Sequence, residues 1–475
     1  MKTNVQLPIL VAFLVVLSFS SCKKDNGQQS RNTIPSLAET TIAAETSEKI
    51  NINVLLNKPI TNSTLNNLQA YGLVKETFGP INALTMVTTR DNLSLIKKLS
   101  YIKDASEDVE AADANPVNFD PITDFTGGVN MWNLDAINVT DYNVGRTISE
   151  NGEGAYIGVL DEGLPDSWKQ YFPEDRIAVQ YAKCFGVNGT EQPNKWEHAT
   201  FPHGLFITSI ILGFRNFYEG GQIVNGVAPK ATVIPVKVST QNDHYFISAV
   251  TRGIMYMADL KAGVLVNSPV IISMSLGWPE PIPIMKAAID YAISKGVIVV
   301  ACAWNAGELG MYYPGAYQNV ISVGSVGLKA QFIPNGYLFW WKTIDVAEPT
   351  KVQDFFVSSF SGREKPGQDL DVLAPGDWII GPYEYNSGQL GYSFWSGTSL
   401  STPHVAGIVA LMAQKKPSLT AAEVESLLQS AAKPMGAGGA TIIEDYLGGS
   451  ITEIWGTDAT GAGLITADAA LKIVK

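Results

Sequence analysis

From Trp132 onward, short runs of consecutive apolar residues alternate with stretches whose apolar positions recur every three or four residues. The runs lie at residues 155–160, 232–238, 270–274, 297–301 and 320–323; the helical spacing lies at 247–260, 284–295, 403–415 and 420–432. A strand that is apolar at every position is covered on both faces, and strands that alternate with helices run parallel. The pattern therefore predicts an α/β fold, three-layer, with a mostly parallel sheet and helices on both faces. Thr420 with Glu423 supplies a capping box for the helix after Pro417.

A smaller pattern precedes this one. Residues 50–56, 83–88 and 102–109 read as strands and 63–71 and 93–99 as helices, which makes residues 49–110 a small α+β unit. Residues 111–131, rich in Asp, Asn, Pro and Gly, read as an exposed linker, and residues 132–475 form the large domain. Residues 22–48 have the polar, aperiodic composition of a flexible tether. Residues 1–21 carry Lys2, an apolar run from Pro8 to Phe19 and Ser20-Ser21, the layout of a secretory signal too short to span a bilayer comfortably. Small residues directly before Cys22 resemble a bacterial lipoprotein signal, in which that cysteine carries the lipid; an ordinary signal with an incidental cysteine is the alternative. The expectation is an exported protein, lipid-anchored to a bacterial cell membrane, periplasmic or surface-exposed.

Charge and cysteine content narrow the field further. The net charge of −12, with no basic run longer than a lysine pair such as Lys23-Lys24, argues against a nucleic-acid partner. Besides Cys22 there are Cys184 and Cys302, the latter inside an apolar run and read as a buried thiol, so no disulfide framework is implied.

The candidate chemistry begins at residues 393–412. Gly397 permits a tight turn, Pro403 fits a first helical turn, and the apolar run after it buries the helix that follows. Ser399 is thereby placed just before a helix N-terminus, where free N–H groups and the helix dipole favour the negative charge that a serine nucleophile and its oxyanion develop. A serine in such a place is ordinarily an N-cap. Here, however, Gly397-Thr-Ser-Leu-Ser-Thr-Pro-His-Val-Ala-Gly407 closely resembles the nucleophile motif of the subtilases, the subtilisin-like serine peptidases.

The resemblance implies that Ser399 is the nucleophile and that an Asp and a His precede it in that order. Tyr156-Ile-Gly-Val-Leu-Asp-Glu-Gly163 resembles the aspartate motif and puts Asp161 at the carboxyl end of a buried strand, where open α/β sheets hold their sites. Of the four histidines, His404 is five helical residues beyond Ser399 and points elsewhere, His244 lies in a polar loop, and His198 has no motif around it. His203, followed by Gly204 and a buried helical pattern, resembles the family's histidine region. The sequence departs from the family at Glu162, where Ser or Thr is usual, and at Leu205, where Thr is expected.

Val299-Val-Ala-Cys-Ala-Trp-Asn-Ala-Gly307 resembles the oxyanion-hole segment and implies that role for Asn305, and Ile272-Ser-Met-Ser-Leu-Gly277 resembles the substrate-binding strand with Ser275, Leu276 and Gly277. Trp278 and Trp304 stand where the family has a small residue and a glycine, positions that in the family wall the pocket for the side chain before the scissile bond; two indoles there predict a preference for a small residue, the alternative being that both rings rotate out, pack beneath residues 332–350 and leave the pocket open. The likeness extends to Ser359-Phe-Ser-Gly362, Asp371-Val-Leu-Ala-Pro-Gly376 and Gly461-Ala-Gly-Leu-Ile-Thr-Ala467.

By position and element order, residues 49–110 resemble the inhibitor-like propeptide of many subtilases, a small docking domain being the alternative. A propeptide would be cut between Ala111 and Trp132. The segment 332–350, containing Tyr337-Leu-Phe-Trp-Trp341, reads as an extra hairpin or a lip beside the cleft. No cofactor is expected, and Asp369 with Asp371 is too little for a calcium site. The chain is thus expected to be a secreted serine endopeptidase acting on proteins and peptides, its own propeptide among them. The contrasting reading, which Glu162 and Leu205 favour, is an inactive subtilase-fold protein that binds at the cell surface.

Overall fold

The computed structural model describes residues 48–111, 119–121, 131–141, 145–216, 223–240, 244–330, 346–384, 390–443 and 449–475. The expected leader with Cys22, all but the end of the expected tether, most of the expected linker and the aromatic run Tyr337-Leu-Phe-Trp-Trp341 lie outside these residues. Residues from Ser47 to Lys475 form one compact unit.

Its N-terminal part is a four-stranded sheet, β1 (Lys49–Leu56), β2 (Leu73–Phe78), β3 (Ala83–Thr89) and β4 (Ile102–Glu107), ordered β2-β3-β1-β4 and antiparallel throughout. Helices α1 (Asn62–Gln69) and α2 (Arg90–Ile96) accompany it. Alternation along β1 sends Ile50, Ile52, Val54 and Leu56 into a core shared with Leu68, Leu93 and Ile96, whereas Leu55 joins Phe78, Ile81 and Ala83 in a core shared with the large domain. β2 has no counterpart among the expected strands, because it is an edge strand with only Phe78 buried.

The large domain carries the predicted sheet. Its strands are β5 (Tyr156–Asp161), β6 (Lys183–Cys184), β7 (Thr232–Lys237), β8 (Val270–Met274), β9 (Val297–Cys302), β10 (Ile321–Leu328), β11 (Phe355–Val357) and β12 (Val372–Pro375), ordered β11-β10-β9-β8-β5-β7-β6, with β12 also paired to β10. All of these pairings are parallel except β10 with β11.

Helices cover both faces. Ile157, Val159, Ile271, Ile298 and Val300 point into one core with residues of α3 (His203–Leu212) and α6 (Thr398–Lys415). Leu160, Ile272, Val299 and Ala301 point into the other with α4 (Ile247–Ala262) and α5 (Pro283–Ser294). Strict alternation between two cores is what a strand buried on both sides requires. Gly158 is part of this packing, since a Cβ there would stand 2.6 Å from the Met257 methyl on α4. Thr420 forms the expected capping box with Glu423 ahead of α7 (Ala421–Ala431). Among the described residues no helix is long and apolar enough to cross a membrane.

Candidate active site

Asp161 is the last residue of β5 and His203 the first of α3, so the sheet's carboxyl edge and a helix start bring them together. His203 Nδ1 lies 2.8 Å from Asp161 Oδ1 and 3.0 Å from Oδ2. The carboxylate is further held by the Glu162 N–H, at 2.8 Å, and by the Tyr245 hydroxyl, at 3.4 Å. Gly204 makes this junction possible, because a Cβ there would stand 2.2 Å from the Gly163 carbonyl oxygen.

Two further neighbours are not part of the sequence-level picture. Lys237 is fully buried beside Asp161 in the sheet register and donates to the Glu162 carbonyl and the Ser239 hydroxyl, each at 2.9 Å. Its signal was a lysine inside an otherwise apolar strand. Trp395 stacks on His203 at 5.9 Å between centroids, 24° from parallel, and continues onto Phe206 and Phe201. Of the two departures from the family, Glu162 is buried, and Leu205 belongs to the apolar core with Ile157 and Val159, where a side chain without a hydroxyl packs without a bonding requirement.

Ser399 is the second residue of α6, which packs against α3. The helix starts at Thr398, five residues before the sequence pattern places it, so Pro403 lies inside the helix and not in its first turn. A proline there removes the N–H that would bond the carbonyl four residues earlier, which is that of Ser399. The Ser275 hydroxyl takes its place, donating to the Ser399 carbonyl at 2.8 Å. Asn305 is fixed by its own oxygen, which accepts from both the Thr398 N–H and the Thr398 hydroxyl at 2.9 Å. Its amide N–H groups therefore remain for another acceptor, and no described residue takes them up. A Cβ at Gly397 would stand 3.2 Å from Asn305 Nδ2, so this glycine serves the close approach of the amide.

The proposed wall residues divide. Leu276 and Gly277 follow Ser275 beyond the end of β8 and are buried; Trp278 exchanges two 2.8 Å backbone hydrogen bonds with Tyr313 and belongs to the core on the α4–α5 side. Its indole N–H has no partner among the described residues. Trp304 belongs to none of the cores. Its ring lies parallel to that of Tyr312, 5.4 Å away and 10° inclined, and 3.1 Å from where a Cβ on Gly277 would stand. The residue is only 6% exposed and has φ of 73°, the left-handed region that suits glycine.

The remaining histidines are structural. His404 is fully buried; its Nδ1–H donates to the Leu400 carbonyl at 2.7 Å and Nε2 accepts from Asn133 Nδ2 at 2.8 Å. Burial pushes its pKa down to about 4. His198 pairs with Asp166 at 3.3 Å, and the exposed His244 pairs with Glu110 of the N-terminal part.

That last contact is one of a row. Asp108, buried and with its pKa raised by burial, accepts from the Ser248 N–H at 3.0 Å and the Ser248 hydroxyl at 2.5 Å, which caps the first turn of α4. Glu110 bridges Phe246 in antiparallel fashion, and the Ala111 N–H donates to the Tyr245 carbonyl at 2.9 Å. On the other side, the hairpin β13 (Ile379–Glu384) and β14 (Leu390–Trp395) takes up Phe119–Pro121 as a third strand, with Phe119 opposite Trp395. Two described pieces of the expected linker, Ala111 and Phe119–Pro121, are therefore hydrogen-bonded through the backbone to the large domain.

Asp369, Asp371 and Glu425 place one carboxylate oxygen each within 4.8 Å of one another. Asp371 is already bonded to the Ser322 N–H at 2.7 Å and to Gln429 Nε2 at 2.6 Å, and burial first, with Glu425 and Asp369 nearby, pushes its pKa up to about 7. Cys184 and Cys302 are free and buried, and burial pushes the Cys302 thiol up to about 12.

Residues 152–458 match the sequence profile described as Peptidase_S8, Subtilase family. The chain is 26% identical over 383 residues to M-protease of Shouchella clausii (strain KSM-K16), covering 80% of this chain and 76% of that protein. It is 32% identical over 289 residues to Subtilisin DY of Bacillus licheniformis, covering 60% and 86%. Among solved structures it resembles fervidolysin from Fervidobacterium pennivorans, a keratinolytic enzyme related to subtilisin, at a TM-score of 0.61 and 22% identity, over 90% of this chain and 61% of that one. This chain therefore spans about three fifths of fervidolysin's length.

Proposed function

Since the chain belongs to the subtilase family, a family of serine peptidases, we propose that it is an endopeptidase that hydrolyses proteins and peptides through Asp161, His203 and Ser399, with Asn305 at the oxyanion. The observation that carries this reading is the bond from His203 Nδ1 to both oxygens of Asp161, with Nε2 engaged by no described residue. In that tautomer Nε2 accepts the proton of Ser399 as the hydroxyl attacks a carbonyl carbon, and Asp161 stabilises the imidazolium. The Ser399 N–H and the Asn305 amide, whose orientation Thr398 fixes, donate to the oxyanion. His203 then returns the proton to the departing amine, and water resolves the acyl-enzyme by the same route in reverse.

Ser275, Leu276, Gly277, Trp278 and Trp304 make up the substrate wall in this reading, Trp278 through its backbone. Residues 1–21 are the export signal, Cys22 carries the lipid, residues 22–48 tether the protein to the membrane, and residues 49–110 are the propeptide, joined by residues 111–131 to the peptidase at 132–475. The row of contacts from Asp108 to Ala111 supports docking of the propeptide beside the triad.

A fluorophosphonate probe tests the reading. Wild-type protein should be labelled and Ser399→Ala should not; an unlabelled wild type would return the protein to a binding role. Asn305→Ala should label slowly and lose about 10²–10³ in kcat.

A further inference from the structure

Resting on the peptidase reading above, we propose that Asp377 is a positioning residue of this enzyme: through the hydroxyl of Ser396 its carboxylate holds the turn that sets both the nucleophile Ser399 and the oxyanion donor Asn305. Asp377 lies between β12 and β13, and Ser396 between β14 and α6. The Ser396 hydroxyl donates to Asp377 Oδ1 at 2.5 Å and accepts from the Trp378 N–H at 2.9 Å. One residue on, the Gly397 N–H donates to the Gly376 carbonyl at 2.8 Å. Thr398 follows, and its N–H and hydroxyl hold the Asn305 oxygen. A shift of residues 396–398 would therefore move the Ser399 N–H and the Asn305 amide together, the two groups that meet the charge of the transition state.

The backbone around Asp377 is shaped for this contact. Gly376 lets the segment press against the start of α6, since a Cβ there would stand 2.1 Å from the Ser401 hydroxyl and 2.8 Å from the Gly397 carbonyl oxygen. Trp378, whose N–H reaches Ser396, has φ of 52°, in the left-handed region. Strain of this kind in a bulky residue concentrates at functional sites.

The charge on Asp377 points the same way. The residue is buried, and no described cation pairs with it. The segment after β11 offers it the Ser358 hydroxyl, 3.4 Å from Oδ2, and β10 packs on it with Gly327, where a Cβ would stand 3.0 Å from the Asp377 Cβ. The charged group facing it is a second buried carboxylate, Glu453, from the hairpin of Gly438–Ile443 and Ser450–Trp455. Glu453 accepts from the Ser359 hydroxyl at 3.0 Å and has the Arg363 guanidinium in its field. Burial first, and then Glu453, push the Asp377 pKa up to about 6, against the hydrogen bond from Ser396. An asparagine of the same shape would fill this place without a buried charge. What the ionised carboxylate adds is a charge-assisted hydrogen bond, shorter and stronger than a neutral one. Its grip falls on the turn before Ser399.

The test uses the full chain on a peptide substrate. Asp377→Asn keeps an oxygen for Ser396 and loses the charge, so kcat should fall about tenfold with KM unchanged, the difference between a charged and a neutral hydrogen bond. The same variant should be more stable than wild type in denaturant titration at about pH 8, and the gain should shrink as pH falls through about 6, where the wild-type carboxyl takes up its proton. Ser396→Ala should lower kcat about 30-fold, and adding Asp377→Asn to it should cost less than about twofold more, because the carboxylate acts through that hydroxyl. An unchanged kcat in Asp377→Asn, a lowered stability of that variant, as a merely structural carboxylate would give, or losses that multiply in the double variant would overturn the proposal. A wild type that takes the fluorophosphonate probe while Asp377→Asn keeps full kcat defeats this proposal alone; a wild type that takes no probe defeats the peptidase reading first, and this one with it.

Discussion

His203 and His404 are both buried, at 4% and 0% exposure, and each has Nδ1 engaged by an oxygen. At His203 the oxygen belongs to a carboxylate and the other ring nitrogen is engaged by no described residue. At His404 the oxygen is the Leu400 carbonyl, and Nε2 is occupied by a donor from Asn133. An imidazolium at His404 would meet an N–H with an N–H, and burial, which lowers its basicity, outweighs the Leu400 carbonyl, which raises it, and holds the ring neutral. At His404 burial outweighs its one acceptor; at His203 the facing carboxylate and the ring nitrogen engaged by no described residue are what the proposed role of base requires.

Replacing the proposed base breaks the contrast most completely. His203→Ala should lower kcat by about 10⁵–10⁶, read on a peptide substrate with folding checked by circular dichroism. Asp161→Asn is subtler in shape, since it gives His203 an amide partner like that of His404; the expected loss is about 10⁴ in kcat, with the labelled fraction at saturating probe unchanged. In the opposite direction, Asn133→Ala vacates Nε2 of His404 and leaves it buried without a partner. That should lower stability by about 1–3 kcal/mol in denaturant titration and leave kcat of the folded protein unaltered.

The gentlest probe is pH. The folded-state value for His404, about 4, lies below the 6.5 of an unperturbed imidazole, so the unfolded chain binds the extra proton between those values. Its contribution to stability is complete above about pH 6.5 and is lost as pH falls toward 4, by up to about 1.4 kcal/mol per unit. Asp371 and Asp377 oppose it: burial raises them from 3.8 to about 7 and about 6, so there the folded state holds the extra proton and gains stability as pH falls. The measurement that isolates the histidine is therefore a difference, in which His404→Gln should gain on wild type as pH drops from 6.5 to 4.

The parallel sheet was legible because its strands are apolar at every position, and the α7 cap because a capping box is local. The start of α6 was not. Pro403 reads as a helix beginning, and its place inside the helix depends on a hydroxyl from Ser275, far away in sequence. The edge strand β2 was missed because exposure leaves it no apolar alternation. At the site, Asp161, His203, Ser399 and Asn305 come from segments with recognisable wording, and the structure brings Asp161 to His203 and Asn305 to the start of α6. Trp395 and Tyr245 were missed because stacking on a ring and reaching a carboxylate across an edge are properties of the assembled fold. Trp278 and Trp304 looked equivalent in sequence. Their places in the fold separate them: Trp278 belongs to a core, whereas Trp304 lies outside every core at a positive φ.

The pairing of Ala111 with Tyr245 and of Phe119 with Trp395 bears on what the proposed propeptide cut can do when it falls between Ala111 and Phe119. Such a cut removes one covalent bond and none of the described contacts: Asp108 still caps α4, and the Phe119–Pro121 strand still lies along β14. What changes is effective concentration. Before the cut the N-terminal part is held against the start of α4 intramolecularly, at the millimolar level typical of a short connection; afterwards its occupancy there follows its dissociation constant and the dilution of the sample. Onset of activity should therefore lag behind the cut, and shorten as the protein is diluted.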